Sequence, residues 1–444
     1  MKKEGINLEK QIDNLVQKFN ENPDKEIQVI SHFDTDGISS ATIMIQTLKK
    51  LDKKFSLKIV KSLEEQFIYD LPKNKITIFL DLGSGNLNSI VESGLKNVFI
   101  IDHHEITQEI PKDINIISSE LDKKQKMSAS CLTYLFCKKL YPASKELAKL
   151  GILGMIGDML EKEIDKLNNK ILEEGEIKRK RGILIYPSTR PLNRTLEYCS
   201  NPYIPEVTGN QKGVREFLRE IGLKPKNGKY QSLIELNQEE MSKLVTAIML
   251  KNPKTKNNQI IGDIFLINLF NRLEDARELS AMVNACSRLG ESGLAIQLLM
   301  ENPQAKKKAE AMYVRYRQHI VSGLKQIAKI EKIQGKNFLI INAKDSIKDT
   351  IIGTLTSILS KSSLYEEGTI ITALAYYRDK IKISSRCVGN TDRNVREVLA
   401  SVVQEIGGEV GGHKQAAGCN ISRKNEKEFI DLLKKNLEIE LVKI

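Results

Sequence analysis

Tryptophan is absent from this chain, and aromatic residues make up only 5% of its 444 residues. A broad aromatic platform for stacking nucleobases is therefore not expected. No apolar run approaches the roughly 20 residues that a membrane-spanning helix needs. The start of the chain lacks the apolar core of a secretory signal, and the six cysteines form no Cys-x-x-Cys pair. These absences predict a cytoplasmic protein with reduced, buried thiols and no membrane partner.

The chain carries an excess of basic residues, with a formal net charge of +12 and a pI near 9.1. Basic surfaces bind phosphate backbones, so the charge favours a polyanionic partner, although lysine-rich compositions also serve solubility. Six basic residues and no acid lie between residues 178 and 196. They fit a solvated loop and a strip that contacts a nucleic-acid backbone about equally well.

Short apolar runs alternate with helical patterns in the first part of the chain, which predicts a parallel, doubly wound α/β sheet. The predicted strands are 27–30, 57–60, 76–80, 98–101 and 114–117, and the predicted helices are 8–20, 38–51, 128–140 and 144–156. In an open α/β sheet, ligands bind where strands end and helices begin. Residues at the strand ends are therefore the first candidates for a functional site.

Carboxylates and histidines follow three of these strands and one helix. They are His32, Asp34, Asp36, Asp81, Asp102, His103, His104 and Asp158. Because alternate residues of an extended chain project the same way, the first three can point into one cleft. Some of the acids, such as Asp36 before a helix, are also typical helix caps. Capping alone does not explain five acids and three histidines clustered at the sheet termini.

Mixed carboxylate and imidazole ligands favour Mn²⁺ or a similar divalent ion. Two such ions, roughly 3.5–4 Å apart, can clamp the phosphoryl oxygens of an in-line displacement, and they need one shared carboxylate. Asp81, central among the predicted strands, is the candidate for that bridging role. The strand ends therefore predict a centre of two divalent cations, with Mn²⁺ favoured and Mg²⁺ as the alternative.

The second half of the chain contains a helical segment and then a new α/β pattern. Residues 211–252 are typical of a helical insertion, for which structural elaboration is the default interpretation, and a Pro/Lys/Asn linker follows at 252–258. The further predicted elements are a strand at 260–269, a helix at 274–289, a long connecting helix at 303–330, a strand at 337–341, a helix at 351–359, a hairpin of 369–377 with 380–385, a helix at 395–406, a glycine-rich turn at 407–413 and a helix at 425–437.

The strand-end motifs resemble those of the DHH phosphoesterase superfamily. They are His32-Phe-Asp34-Thr-Asp36-Gly37, Asp81, Asp102-His103-His104 and Gly157-Asp158. The tail resembles the DHHA1 domain through Ser384-Ser385-Arg386 and Gly411-Gly412-His413, and Asn284-Ala-Cys-Ser-Arg288-Leu-Gly290 resembles a segment of RecJ-type nucleases. The length and the insertion are most similar to the archaeal RecJ-like nucleases, which include the GINS-associated nuclease group.

The resemblance implies a doubly wound DHH domain with a helical insertion, joined by a helix to a smaller α/β DHHA1 domain. The implied boundaries are 1–210 and 259–300 for the catalytic DHH domain, 211–258 for the insertion, 301–335 for the connecting helix and 336–444 for the substrate-binding DHHA1 domain.

The resemblance also implies a role for each matching residue. One cation would bind His32, Asp34 and Asp81, and the other would bind Asp36, Asp81, His103 and Asp158. His104 would contact the scissile phosphate and Asp102 would fix an imidazole tautomer, which makes Asp81, Asp102 and His104 the catalytic candidates. The substrate-binding candidates are Arg288, Ser384, Arg386, Gly411, Gly412 and His413. Family members often carry a third glycine where this chain has Val410; β-branched residues disfavour positive φ, so we expect the tail turn to close differently.

The activity implied by the resemblance is that of a metal-dependent exonuclease, which hydrolyses phosphodiester bonds of single-stranded nucleic acid. It favours DNA over RNA and 5′ to 3′ polarity, in replication or repair, with the substrate between the DHH and DHHA1 domains. The implied protein partner is GINS or a repair helicase. Two alternatives stay open: a phosphodiesterase for short oligoribonucleotides or cyclic dinucleotides, and a non-catalytic replisome scaffold, which loss of the ligands would mark.

Overall fold

The computed structural model describes residues 7–22, 26–122, 126–162, 164–199, 202, 204–251, 260–362, 364–389 and 391–440. The chain divides into two compact units, Met1–Glu310 and Ala311–Ile444. The predicted linker at 252–258 falls outside the described residues. Within the described ranges, no helix is both long and apolar enough to cross a membrane.

A five-stranded sheet in the first unit has only parallel neighbours. Its strands are β1 (Ile27–His32), β2 (Phe55–Val60), β3 (Ile76–Leu80), β4 (Val98–Ile101) and β5 (Ile114–Ile117), in the order β2-β1-β3-β4-β5. The inner strands are continuous apolar runs, as expected where both faces of a parallel sheet are covered. The predicted doubly wound sheet is confirmed. Its order reverses between β1 and β3, and this places the switch point at the carboxyl ends of these strands.

The helices of this part of the chain are α1 (Leu8–Asn20), α2 (Thr35–Lys50), α3 (Glu65–Tyr69), α4 (Leu87–Glu92), α5 (Ala129–Leu140), α6 (Ala148–Gly157) and α7 (Lys166–Glu174). The helix predicted from residue 144 begins instead at Ala148, after the 3₁₀ segment Pro142–Leu147. Because α6 is apolar on almost every side, it packs in the interior against α2 and α5.

A three-stranded antiparallel sheet follows, in the order β6-β7-β8. Its strands are β6 (Lys178–Ile183), β7 (Ile261–Leu269) and β8 (Arg272–Asp275), and the described helices between β6 and β7 are α8 (Leu192–Tyr198), α9 (Gln211–Glu220) and α10 (Gln238–Lys251). The three helices share one hydrophobic core with β6 and β7. The predicted insertion therefore packs on the strands that flank it.

The basic run that starts at Lys178 forms strand β6 at the edge of this sheet, so the alternative of a solvated loop is wrong for residues 178–183. At least five of the six cations between residues 178 and 196 have acceptors within the chain. The acceptors are Asp263 for Arg179 and Arg181, the carbonyls of Ile234 and Leu236 for Lys180, Glu278 for Arg190, and Glu197 for Arg194. Most cations of a phosphate-contacting strip would thus already have acceptors within the chain, although the side chain of Arg181 is 70% exposed.

The chain then forms α11 (Ala276–Arg288), α12 (Ser292–Leu299) and the long helix α13 (Pro303–Lys329). The predicted connecting helix at 303–330 is confirmed as a helix. It begins in the first unit and ends in the second.

The second unit contains a mixed six-stranded sheet in the order β13-β14-β12-β11-β10-β9. Its elements are β9 (Lys332–Gly335), β10 (Phe338–Asn342), α14 (Asp349–Ser360), β11 (Ile370–Tyr377), β12 (Lys380–Cys387), α15 (Val395–Ile406), β13 (Glu409–His413), β14 (Ala416–Ser422) and α16 (Glu426–Glu440). The predicted antiparallel hairpin is present as β11 and β12.

The glycine-rich turn predicted at 407–413 is wrong, because Glu409–His413 is the edge strand β13. The positive φ angles that end α15 fall on Gly407, at +81°, and Gly408, at +142°. Val410 does not have positive φ. It lies in an extended strand, which suits a β-branched side chain, so its presence causes no backbone strain here.

Candidate metal centre

The turn between β1 and α2 carries the first three candidate ligands. His32 is the last residue of β1, and Asp34 caps α2 by accepting a 3.0 Å hydrogen bond from the Gly37 N–H. A Cβ on Gly37 would lie 2.3 Å from the His32 carbonyl oxygen, so only glycine lets the helix start this close to the strand. Asp36 already lies in the first helical turn. The expected extended His-x-Asp-x-Asp segment therefore ends at Asp34.

Asp36 is fully buried and caps a helix other than its own. Its Oδ2 accepts a 2.7 Å hydrogen bond from the Ala129 N–H, and its Oδ1 accepts one of 3.1 Å from the Ser130 N–H, at the start of α5. Burial, followed by the negative charge of Asp81, raises the pKa of Asp36 to about 6. No pattern in the sequence indicates this contact, which joins residues 93 positions apart.

Asp81 follows β3 and has a φ of +58°, which is uncommon outside glycine and redirects the chain at the strand end. Its carboxylate is almost completely buried. Its Oδ2 lies 3.1 Å from His32 Nδ1, and its Oδ1 lies 3.4 Å from His103 Nε2. Among the described residues, Oδ1 has no hydrogen-bond donor in ordinary geometry. The two oxygens of one carboxylate thus face two different groups of donor atoms.

Asp102 orients His104. Its Oδ1 accepts a 2.7 Å hydrogen bond from His104 Nδ1 and one of 2.8 Å from the His103 N–H, while Oδ2 accepts one from the Ser84 N–H. Burial alone would raise the pKa of Asp102, but the hydrogen bond with His104 lowers it below its usual value. The imidazole that Asp102 fixes is therefore that of His104.

Asp158 caps the carboxyl end of α6, and its Oδ2 lies 3.2 Å from His103 Nε2. Helix α6 reaches this position because it carries glycine at every third residue, at 151, 154 and 157. A Cβ on Gly154 would lie 2.1 Å from Ser130 Oγ and 2.3 Å from Asp36 Oδ1. We did not predict Gly154 as a site residue, although the Gly-x-x-Gly-x-x-Gly spacing was visible in the sequence.

The predicted strand-end residues converge in three overlapping groups, within each of which the potential ligand atoms lie within 4.8 Å of one another. The groups are His32, Asp34 and Asp81; Asp36, His103 and Asp158; and Asp81, His103 and His104. Asp81 and His103 each belong to two of them. The arrangement fits oxygen- and nitrogen-binding divalent cations, which prefer carboxylate and imidazole ligands.

The charges of these groups depend strongly on one another. Burial alone would lower the pKa of His32, but Asp34 and Asp81 raise it well above its usual value. The pKa of His103 is raised in the same way, against its burial, by Asp81 and Asp158. Burial and then the charge of Asp36 raise the pKa of Asp158. The centre thus concentrates carboxylates that repel one another, and divalent cations would relieve this repulsion.

Arg288, at the end of α11, lies beside the β1–α2 turn. Its guanidinium carbon is 5.8 Å from the centre of the Phe33 ring, and Phe33 separates His32 from Asp34. On the same helix, Asn284 has a buried Oδ1 without a hydrogen-bond donor among the described residues. The predicted Asn-Ala-x-x-Arg segment is therefore close to the cation ligands.

The remaining substrate-binding candidates lie together in the second unit. Arg386 and His413 are both paired with Ala416 of β14, so both side chains are on one face of the sheet, two strands apart. Ser384 and Gly411 are likewise both paired with Gly418. Arg386 is held by Ser357 Oγ at 3.0 Å, by Ser384 Oγ at 3.1 Å and by the carbonyls of Ser385 and Ala417. Gly412 lies between Gly411 and His413 on β13, with a φ of +120°.

Comparison with known proteins shows that both units match known domain families. Residues 26–155 match the DHH family N-terminal domain, residues 185–259 match the DHH-CID domain, and residues 335–438 match the DHHA1 domain. The uncharacterized protein MJ0831 of Methanocaldococcus jannaschii is 30% identical over 425 residues, which cover 91% of this chain and 91% of that protein.

Two solved structures share the fold at low sequence identity. CDC45 from Entamoeba histolytica has a TM-score of 0.66 at 12% identity, over 97% of this chain and 98% of that chain. RecJ in complex with Mn²⁺ from Thermus thermophilus has a TM-score of 0.58 at 17% identity, over 96% of this chain. The matched region covers 54% of that RecJ, so this chain spans about half of its length. The chain therefore belongs to the DHH family of proteins that also carry a DHHA1 domain, and it has the fold of RecJ and Cdc45.

Proposed function

We propose that this protein is a metal-dependent exonuclease that hydrolyses phosphodiester bonds of single-stranded nucleic acid. The observation that carries the proposal is the position of Asp81, whose two oxygens face His32 on one side and His103 on the other. A carboxylate in this position can bridge two cations. An acid that only caps a helix or closes a turn would not need imidazoles on both sides.

The proposed ligand sets are those implied by the resemblance, and two of the three groups of donor atoms, His32/Asp34/Asp81 and Asp36/His103/Asp158, support them. His32, Asp34 and Asp81 would hold one divalent cation, and the second would be held by Asp36, Asp81, His103 and Asp158. When bound, a pair of Mn²⁺ or Mg²⁺ ions supplies positive charge to the phosphoryl oxygens and makes water more acidic. Mn²⁺ is favoured by the mixed ligands, and RecJ with this fold is known in complex with Mn²⁺ and with Mg²⁺.

His104 is the residue best placed to act on the substrate. Asp102 holds its Nδ1, so that the ring is fixed, and its side chain is 42% exposed. Burial alone would lower the pKa of His104, but the hydrogen bond with Asp102 raises it. A protonated His104 can donate through Nε2 to a phosphate oxygen, or give its proton to the departing oxygen of the chain.

The charge of the chain supports a polyanionic substrate. The preference for single-stranded DNA and the polarity of digestion are supported by the resemblance. The net charge of +12, Arg288 beside the ligand turn, and Arg386 with His413 in the second unit fit a polyanionic substrate. The preference for single-stranded DNA with 5′ to 3′ polarity, like a GINS or repair-helicase partner, comes from the resemblance to RecJ-like nucleases alone.

Digestion of end-labelled single-stranded DNA and RNA with the full chain and Mn²⁺ tests the proposal. The expected result is release of nucleotides that requires Mn²⁺ and is lost in Asp81→Asn and Asp158→Ala. Asp113→Asn, which changes an exposed acid of the same unit, is the control purified in parallel. The position of the label shows the polarity, and comparison with dinucleotides and cyclic dinucleotides shows whether short substrates are preferred.

Two outcomes would contradict the proposal. Cleavage that is equal in wild type, Asp81→Asn and Asp158→Ala would come from a contaminant. A wild-type chain that binds Mn²⁺ but leaves every substrate intact would favour a non-catalytic scaffold.

A further inference from the structure

Helix α11 contacts the β1–α2 turn through residues that are not candidate ligands. Thr35, between Asp34 and Asp36, donates its hydroxyl proton to the backbone carbonyl of Ser280, 3.0 Å away. The Ser280 hydroxyl donates back to Thr35 Oγ1 over 3.1 Å. Both residues are buried. This reciprocal pair joins the turn to a helix 245 residues further along the chain.

A third segment reaches the same pair of hydroxyls. A Cβ on Gly157, the residue before Asp158, would lie 2.8 Å from Thr35 Cβ and 3.4 Å from Ser280 Oγ. The backbone at Gly157 can come this close only because it has no side chain. The β1–α2 turn, which carries Asp34 and Asp36, and the end of α6, which carries Asp158, therefore meet at Thr35.

Helix α11 also reaches the other non-ligand residue of the turn. Arg288 lies eight residues after Ser280, on the same side of the helix, and its guanidinium carbon is 5.8 Å from the Phe33 ring centre. Phe33 and Thr35 alternate with His32, Asp34 and Asp36 in the sequence. The helix thus touches the turn through the residues that alternate with the ligands.

We propose that Ser280 is a positioning residue, which holds Thr35 and through it the carboxylates of Asp34 and Asp36 at the separation that the cations require. The inference rests on one part of the proposed function, namely that the centre binds divalent cations. Thr35 is the first residue of α2, with an extended residue before it and a helical residue after it. A displacement of Thr35 therefore moves both neighbouring carboxylates at once.

The test is calorimetric titration of the full chain with Mn²⁺, together with thermal unfolding. Thr35→Val keeps the shape of the side chain and removes both hydrogen bonds, whereas Ser280→Ala removes one and keeps the backbone acceptor. We expect Thr35→Val to weaken Mn²⁺ binding about tenfold, in the range for partners that orient metal ligands. Ser280→Ala should have a smaller effect, and Thr35→Ser, which keeps the hydroxyl, should bind Mn²⁺ nearly as wild type does.

Thr47→Val is the matched control. Thr47 is another buried threonine of α2, and its hydroxyl bonds Ile43 O at 3.0 Å and Ser144 Oγ at 3.2 Å, far along the helix from the turn. Loss of the Thr47 hydroxyl should lower the midpoint of thermal unfolding without changing the Mn²⁺ affinity. This separates positioning of the ligands from simple support of the fold.

Each outcome of the titration decides the inference. Wild-type Mn²⁺ affinity in Thr35→Val or in Ser280→Ala, or equal weakening in Thr47→Val, would overturn it. If wild type binds Mn²⁺, the Thr35 and Ser280 variants bind it less tightly and no nucleic acid is cleaved, the inference stands and the proposed function fails. A wild-type chain that binds no Mn²⁺ would overturn both.

Discussion

Replacing Gly154 with alanine should damage the candidate centre more than any change of similar size nearby. A Cβ at this position would lie 2.3 Å from Asp36 Oδ1 and 2.1 Å from Ser130 Oγ, whereas ordinary contact begins near 3.4 Å. Both side chains, or the backbone of α6, must therefore move by about 1 Å. Gly151, one turn earlier in α6, is the matched control, since its Cβ would meet its nearest neighbours at 3.4–3.5 Å.

The magnitude follows from three effects at Gly154. Overpacking of a tight interior costs about 1–3 kcal/mol, and alanine in a helix recovers about 0.5–1 kcal/mol relative to glycine. Moving the Asp36 carboxylate weakens its bonds to the N–H groups of Ala129 and Ser130, and an unsatisfied buried group costs about 1–3 kcal/mol. We expect Gly154→Ala to lower the free energy of unfolding by about 1–5 kcal/mol, and Gly151→Ala to raise it by about 0.5–1 kcal/mol.

Two measurements check this prediction. Urea unfolding combined with hydrogen exchange at α5 and α6 reports on the first unit separately from the second, and calorimetry gives the Mn²⁺ affinity. Since Asp36 is a candidate ligand, Gly154→Ala should also weaken Mn²⁺ binding by about tenfold or more. Equal unfolding free energies and equal Mn²⁺ affinities in the two alanine variants would refute the reasoning, because the glycine would then not be needed for the close approach.

Three further changes test other parts of the structure. Asp81→Asn should weaken Mn²⁺ binding by more than the roughly 10–100-fold loss of affinity that follows mutation of a residue hydrogen-bonded to a metal ligand. Retention of one tight Mn²⁺ site in calorimetry would show that the two cations do not share the Asp81 carboxylate. Gly412→Ala should destabilise the second unit by about 1–3 kcal/mol, since its φ is +120° and its Cβ would lie 2.4 Å from a backbone oxygen, while the Cβ of Gly411→Ala would meet nothing within 4 Å. Equal thermal midpoints for these two would disprove the strain. Mn²⁺ affinity should rise with pH, because the pKa values of His32 and His103 are raised and imidazole must lose its proton to bind a metal; titrations independent of pH would speak against imidazole ligands.

The strands that carry the candidate residues were predictable because their signals are local. The strands β3, β4 and β5 are short apolar runs bounded by polar residues, and they lie where the sequence predicts them. Parallel strands end at one edge of their sheet, so the approach of Asp81 to His103 followed from the topology before any distance was known. Spacing in the sequence and a rule about sheets were sufficient for this part of the site.

Two edge strands, β6 and β13, were missed because their composition is unusual for strands. The basic run of β6 and the glycines of β13 have low intrinsic strand propensity, and each pairs because a neighbouring strand supplies hydrogen bonds on one side. Tertiary contacts of this kind cannot be recognised from the residues of one segment.

Contacts between distant segments also could not be predicted from the sequence. The contacts of Asp36 with the start of α5 and of Thr35 with Ser280 join residues 93 and 245 positions apart. Both depend on how helices pack, and packing has no periodic signal in a single sequence. The glycines at 151, 154 and 157 were a visible sign of close packing, but only the structure shows what approaches them.

The hydrogen bonds of Asp36 and Asp102 explain how a centre rich in carboxylates can keep its geometry. An ionised carboxylate offers about four acceptor positions, and backbone N–H groups occupy one on each oxygen of Asp36. The remaining positions can still bind a cation, while the two N–H groups fix the direction of the carboxylate. Asp102 likewise directs His104. Asp81 differs, because its Oδ2 lies within hydrogen-bond distance of His32 Nδ1, at 3.1 Å, whereas its Oδ1 has no hydrogen-bond donor among the described residues. The residue that would bridge two cations thus has a buried oxygen that accepts no ordinary hydrogen bond from the described residues.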